Sequence, residues 1–61
     1  MCESNIYLDK NGKRELVFEN AEEIKILDGG KIEIRSMFGE KKVIDAAIKE
    51  IDLHGHRIIL K

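Results

Sequence analysis

The sequence contains no proline, no tryptophan and only one cysteine, Cys2. A single cysteine cannot form a disulfide within the chain, so packing, a metal or a second subunit must stabilise so small a fold. The longest apolar runs are three residues, whereas a membrane-spanning helix needs about 20. The sequence also lacks a basic and then apolar leader. These absences predict a soluble protein of a reducing compartment, the cytoplasm, with no membrane contact.

The sequence also lacks an excess of charge of either sign, because it has 11 Lys and Arg residues and 12 Asp and Glu residues. This balance argues against binding to nucleic acid, whose phosphates attract clustered positive charge. The chain has no glycine-rich phosphate loop, no paired-cysteine zinc motif and no serine, histidine and aspartate pattern typical of hydrolysis. Its 61 residues predict one small domain, residues 1–61, with little room for a catalytic pocket. We therefore predict that it is not an enzyme.

What the sequence has in abundance is isoleucine, with ten copies against five leucines and two valines. β-branched side chains favour strands, and apolar residues alternate with polar ones along much of the chain. Turn signals separate these segments at residues 9–12, 28–30, 39–42 and 54–55. Residues 43–53 also fit helical spacing, but alternation near their end favours strands. The predicted fold is all-β, a small antiparallel barrel of five to seven short strands.

The same alternation predicts which side chains point into the core. A second strand is expected over residues 14–19 and a separate third strand from residue 24. Twelve inward side chains follow from this pattern: Ile6, Leu8, Leu16, Phe18, Ile24, Ile26, Ile32, Ile34, Ile51, Leu53, Ile58 and Leu60.

The position of Cys2 has chemical consequences because it lies beside the terminal amine. With Met1 retained, the Met1 amine, the Cys2 amide nitrogen and the Cys2 thiolate can fill three corners of a square. A Glu3 group or a second chain can fill the fourth. With Met1 removed, the Cys2 amine and thiolate chelate instead. Nickel(II) and copper(II) suit such donors, but the residues alone favour a Cys2 thiol that is simply packed on the first strand.

His54 and His56 flank Gly55, a spacing that lets two imidazoles approach one metal ion. Two ligands do not make a site, and a histidine-containing hairpin turn is the simpler interpretation. The sequence leaves open whether either histidine is a ligand.

Several segments together carry a family resemblance: the Met1-Cys2 start, a first strand that ends near Leu8, the turn at residues 28–30 with Ile32 and Ile34 after it, and the closing segments 51–53 and 58–60. With them the sequence resembles the CooT family over nearly its whole length. The resemblance implies an SH3-like or Sm-like β-barrel. It also implies a nickel-binding accessory protein, or metallochaperone, for maturation of nickel-dependent carbon monoxide dehydrogenase.

The family uses the Met1-Cys2 start for nickel(II), so the resemblance makes metal binding by Cys2, with Met1 and Glu3, the preferred interpretation. The implied partners are the dehydrogenase or its maturation factors. A homodimer is a further expectation, because a small domain gains from burying more surface and one terminal cysteine supplies few donors.

The alternative function is that of a small barrel that binds RNA through a basic groove and stacked aromatic rings. The sequence offers only three aromatic residues for this purpose, Tyr7, Phe18 and Phe38, and it lacks the positive charge.

Overall fold

The structure, a computed structural model, describes residues 3–61. Its six strands are β1 (Ser4–Lys10), β2 (Lys13–Leu27), β3 (Lys31–Ser36), β4 (Lys41–Asp45), β5 (Ile48–Asp52) and β6 (Arg57–Leu60). They form one sheet in the order β4-β3-β2-β1-β6-β5. The all-β prediction is confirmed, and residues 3–61 contain no helix. Within this range, accordingly, no helix could cross a membrane.

Strand β2 is a single strand of 15 residues. The sequence predicted two short strands in its place, one over residues 14–19 and one from residue 24. Its first part pairs with β1 and its second part with β3. The strand bends between them, because the pairing register shifts after Ala21 and Asn20 adopts a left-handed φ of 57°. The Asn20 amide donates a hydrogen bond to Asn5 Oδ1 at this bend. A bulge within one strand therefore stands where the sequence predicted two separate strands.

The sheet is not wholly antiparallel, which corrects a second detail of the prediction. Strands β1 and β6 pair in parallel, with Asn5 opposite Arg57 and Leu8 opposite Leu60. They come from opposite ends of the chain, so no short hairpin forces them to run in opposite directions.

Barrel closure is not confirmed. Strands β4 and β5 stand at the two ends of the sheet, and no ladder joins them within the described residues. Only Ala46 and Ala47 connect the two strands, and Ala47 exchanges two backbone hydrogen bonds with Lys61. The sheet must therefore curve strongly to bring its ends within reach of a two-residue connection.

The core is a cluster to which β1, β2, β3 and β6 contribute the buried residues Ile6, Ala21, Ile32, Ile34 and Leu60. Partly buried side chains such as Leu8, Phe18 and Ile24 pack against them. Four residues predicted to point inward are instead exposed: Leu16, Ile26, Ile51 and Leu53. The last three lie beside a bulge or at a strand end or turn, where simple alternation no longer determines the face.

Two of the predicted turns form as their sequences require. Asn11 and Gly12, between β1 and β2, both have positive φ, at 53° and 82°. These values match a two-residue type I′ hairpin, which favours the Asn-Gly pair. Gly29 and Gly30, between β2 and β3, also have positive φ.

Ion pairs across the sheet make the fold sensitive to acid. Lys49 donates a hydrogen bond to Asp9, and Arg35 donates one to Glu23 at 3.0 Å. The hydrogen bond from Lys49 lowers the pKa of Asp9 below its ordinary 3.8. The hydrogen bond from Arg35 lowers the pKa of Glu23 below 4.5. A carboxyl group with a lowered pKa stabilises the fold above its unfolded pKa, and this stabilisation is lost as the pH falls through the folded value.

We therefore expect the free energy of unfolding to be steady near neutral pH and to fall below about pH 4. Urea unfolding of the metal-free protein at pH 7 and pH 3 measures the difference. Asp9→Asn removes one of these carboxyl groups and should reduce the dependence on pH. A free energy of unfolding that is equal at both pH values would contradict the prediction.

Candidate functional site

The predicted metal ligands are the first three residues of the sequence, and of these the structure describes only Glu3. Met1 and Cys2 lie outside the described residues. Glu3 is half-buried and immediately precedes β1. Because β1 lies between β2 and β6 within the sheet, the chain leaves the sheet at Ser4 with a strand on either side.

On one side of this point, Ser4 pairs with Ala21 of β2, which in turn pairs with Ser36 of β3. Ala21 and Ser36 are both buried. The Ser36 hydroxyl accepts hydrogen bonds from the amides of Phe38 and Glu40, at 3.2 and 3.3 Å, and so organises the turn between β3 and β4. This side is packed and its polar groups are satisfied.

On the other side, the start of β1 meets the turn between β5 and β6. The Asn5 amide donates a hydrogen bond of 2.9 Å to the carbonyl oxygen of His56. The parallel register continues from there, with Asn5 opposite Arg57. The topology thus brings the His54-Gly55-His56 turn to the end of the sheet at which the chain begins.

The side chain of Asp52 fixes this turn. Its Oδ1 accepts a hydrogen bond from the Gly55 amide at 2.9 Å, and its Oδ2 accepts one from Arg57 Nη2 at 2.8 Å. The Gly55 amide first, and then Arg57, hold the pKa of the Asp52 carboxyl below its ordinary value. A Cβ atom at Gly55 would lie 2.8 Å from Asp52 Oδ2 and 2.9 Å from two Arg57 nitrogens. A side chain at position 55 would therefore have to displace the ends of the Asp52 and Arg57 side chains.

His54 and His56 are both exposed on this turn. His56 adopts a left-handed φ of 54°, a conformation in which histidine is enriched among non-glycine residues. Neither imidazole makes a hydrogen bond to any of residues 3–61. Both rings therefore have nitrogen atoms available to a ligand.

Two acidic residues near this end of the sheet, Glu22 and Glu23, are already paired with a base. Arg35 contacts Glu22 at 3.3 Å and Glu23 at 3.0 Å, so one guanidinium group serves two carboxylates. Within residues 3–61, no group of three or more His, Cys, Asp and Glu side chains is placed to hold a metal ion. A metal site here would need donors from the first two residues.

A groove of about 430 Å³ lies between the bend of β2 and the turn that follows β3. It contains the exposed ring of Phe38 with Lys41 and Lys42, residue types that single-stranded RNA often contacts. Glu19 and Glu40 also line it, so its formal charges cancel. The groove gives little support to the RNA-binding alternative.

The sequence identified the histidines but could not place them near the first strand. That proximity depends on the parallel pairing of β1 with β6, which joins segments about 50 residues apart. The role of Asp52 had a local signal, because an aspartate three residues before a glycine is typical of a side-chain-capped turn.

The chain is similar to known proteins in two comparisons. The family model described as "CO dehydrogenase accessory protein CooT" matches residues 1–61. A crystal structure from Carboxydothermus hydrogenoformans, described as a CooT, is 34% identical in sequence with a TM-score of 0.88. That match covers 97% of this chain and 94% of the other. The comparison with curated proteins gives no match. The match to the family model over the whole chain, joined to the shared fold, shows that the chain belongs to the CooT family of CO dehydrogenase accessory proteins.

Proposed function

We propose that this protein binds nickel(II) as cargo through Cys2, with Met1 and Glu3, and holds or delivers it during maturation of nickel-dependent carbon monoxide dehydrogenase. Membership of the CooT family over residues 1–61 is the observation that carries the proposal, because the match includes the Met1-Cys2 start. The recipient is the dehydrogenase or one of its maturation factors. The protein itself catalyses no reaction.

The chemistry of the donors supports nickel as the cargo. An amine, a deprotonated amide nitrogen and a thiolate are strong-field donors that favour a square arrangement, the geometry typical of nickel(II). The Glu3 group follows directly in the chain and offers an oxygen donor. A free thiol at position 2 requires a reducing compartment, which fits a cytoplasmic protein.

The position of β1 supports release as well as binding. The strand is anchored on both sides from Ser4 onward, while the proposed donors precede it in the chain. Metal at such a terminus stabilises little of the core, which lies among Ile6, Ile32, Ile34 and Leu60. We therefore expect the protein to remain folded when it gives up its metal, as a delivery protein must.

Nickel titration of the metal-free protein tests the proposal. Thiolate-to-nickel charge-transfer bands should appear in the near ultraviolet and saturate at a defined stoichiometry. Binding should weaken as the pH falls, because protons compete for the sulfur and nitrogen donors. RNA binding, measured in parallel at two salt concentrations, should be weak. A protein that bound RNA with a steep salt dependence and gave no nickel bands would support the RNA-binding alternative instead.

We further propose a homodimer in which two Cys2 thiolates share one nickel ion. In a two-fold pair, a residue near the axis meets its own copy, so each chain contributes the same donors. Mass measurement in solution, with and without nickel, should give one metal ion per two chains. A monomer that binds one nickel ion per chain and never dimerises would favour the competing site, built from residues 1–3 of one chain.

A further inference from the structure

We propose that the open edge of β4 binds a second copy of this chain, with the two β4 strands antiparallel and Val43 on the two-fold axis. Strands β2 and β3 lie between β4 and β1, the strand that follows Cys2 in the chain. The surface is therefore separate from the proposed metal site. The pairing needs neither nickel nor Cys2, so it goes beyond the proposed function.

The first support is the free backbone edge of β4, which pairs with β3 alone and stands at one end of the sheet. The Ser36 amide donates a hydrogen bond to the Glu40 carbonyl oxygen at 2.9 Å. In an antiparallel pair, every second residue from that point faces the partner strand. The backbone groups of Lys41, Val43 and Asp45 are therefore the ones that point away from β3. Within residues 3–61, no strand pairs with β4 on that side.

The second support is that the sequence of β4, Lys41-Lys42-Val43-Ile44-Asp45, is complementary to itself in the antiparallel direction. When Val43 lies opposite its own copy, Lys41 of each chain lies opposite Asp45 of the other. Opposite charges in directly opposed positions stabilise a strand pair. Lysine on an edge strand normally prevents pairing, but in this arrangement each Lys41 meets a carboxylate. The same register also brings the outward backbone groups of both strands face to face, so ladder hydrogen bonds form.

The register of this pair is specified by its charges. A slide of two residues in one direction places Lys42 opposite Lys42 of the second copy, and like charges in opposed positions are destabilising. A slide in the other direction places Asp45 opposite Val43 and leaves Lys41 outside the ladder. Only the pairing centred on Val43 matches both charges in both chains, as a two-fold interface requires.

The third support is the exposure of Val43, whose apolar side chain is 54% exposed. Its neighbour Ile44 lies opposite the buried Ile32, so Val43 lies on the other face of the sheet. Across the two-fold axis the two valines cover each other, and β-branched side chains pack well in such cross-strand pairs. Five residues from each chain make a small interface, which is typical of weak association. We therefore expect dimerisation that depends on protein concentration.

Sedimentation of the full-length Cys2→Ser variant in the presence of a chelator tests the proposal, because neither a disulfide nor a shared nickel ion can then join two chains. This protein should pass from monomer to dimer as its concentration rises. A monomer at every concentration would overturn the proposal. Wild-type protein that dimerised only with nickel would also overturn it and would support the shared nickel site instead.

Charge reversal on this background tests the register. Lys41→Glu should weaken dimerisation at least about tenfold, because it sets two pairs of like charges opposite each other. Adding Asp45→Lys to the same chain reverses both pairs and should return the affinity to near its original value. Lys13→Glu, which reverses an exposed charge at the start of β2, is the matched control and should change nothing. A charge-swapped chain that dimerised no better than Lys41→Glu would contradict this register.

Val43→Pro tests the backbone pairing. Proline removes an N–H group that points to the open edge and leaves the hydrogen bonds to β3 in place, and it is tolerated on edge strands. The variant should keep the circular dichroism spectrum of the folded protein and lose the dimer. A folded Val43→Pro variant that dimerised as strongly as its parent would overturn the proposal.

Discussion

Replacing Cys2 with serine should lower the affinity for nickel by at least about a hundredfold and abolish the near-ultraviolet charge-transfer bands. Changes in groups that only orient a metal ligand cost 10- to 100-fold in affinity, so loss of a ligand itself should cost at least as much. Serine keeps the size and the hydrogen-bonding capacity of the side chain but is not deprotonated at neutral pH. Isothermal titration and absorption spectra of the metal-free variant provide the measurement.

A second variant tests whether the thiol must stand at position 2. Cys2→Ser combined with Ser4→Cys moves the thiol by two residues, into β1. The moved thiol can no longer close a chelate ring with the terminal amine, so nickel binding should not return. If Cys2→Ser bound nickel with unchanged affinity and spectrum, the assignment to Cys2 would be wrong. Recovery in the double variant would show that any nearby thiol suffices.

The chemistry of the proposed nickel site can be predicted from sequence more readily than its geometry. Thiolate, amine and amide donors follow from the order of Met1 and Cys2, and no fold is needed to bring neighbours together. His54 and His56 are different, because their relation to the first strand depends on the register between β1 and β6. That register is set by packing of the whole sheet and leaves no local mark in either segment.

In the fold, too, features set by neighbouring residues could be predicted, whereas features set by distant parts of the sheet could not. The turns at Asn11-Gly12 and Gly29-Gly30 were predictable, because their residues accept positive φ. The bend of β2 was not, since residues 20–23 look like a break between strands and prove to be a bulge within one. An Asn20 with positive φ suits a bulge as well as a turn. Closure into a barrel was likewise beyond what alternation could determine.

Ile34 and Ile26 show how far an alternating pattern can mislead. The sequence placed both in the core, but Ile34 is 0% exposed and Ile26 is 75% exposed. Ile34 lies within β3, with Ile24 of β2 on one side and Lys42 of β4 on the other. Ile26 lies one residue before the end of β2, opposite Ile32 of β3. Their contributions to stability should therefore differ greatly.

Ile34→Ala should lower the free energy of unfolding by about 2–5 kcal/mol, because a buried isoleucine leaves a cavity as well as losing apolar burial. Ile26→Ala, the same chemical change at an exposed site, should cost less than about 0.5 kcal/mol. A single core in a domain this small supplies only about 3–5 kcal/mol, so the first variant is expected to be partly unfolded at 37 °C. Urea denaturation followed by circular dichroism measures both.

The pair should be measured in chelator-treated protein, because the buried cluster of Ile6, Ala21, Ile32, Ile34 and Leu60 includes none of the proposed metal ligands. Metal-free wild-type protein should then show dispersed amide resonances and a cooperative unfolding transition. An equal decrease in the free energy of unfolding for Ile34→Ala and Ile26→Ala would mean that Ile34 is not buried in the core. A wild-type protein that folds only after nickel is added would mean that the metal drives folding, and a carrier that unfolds on release could not deliver its cargo as proposed.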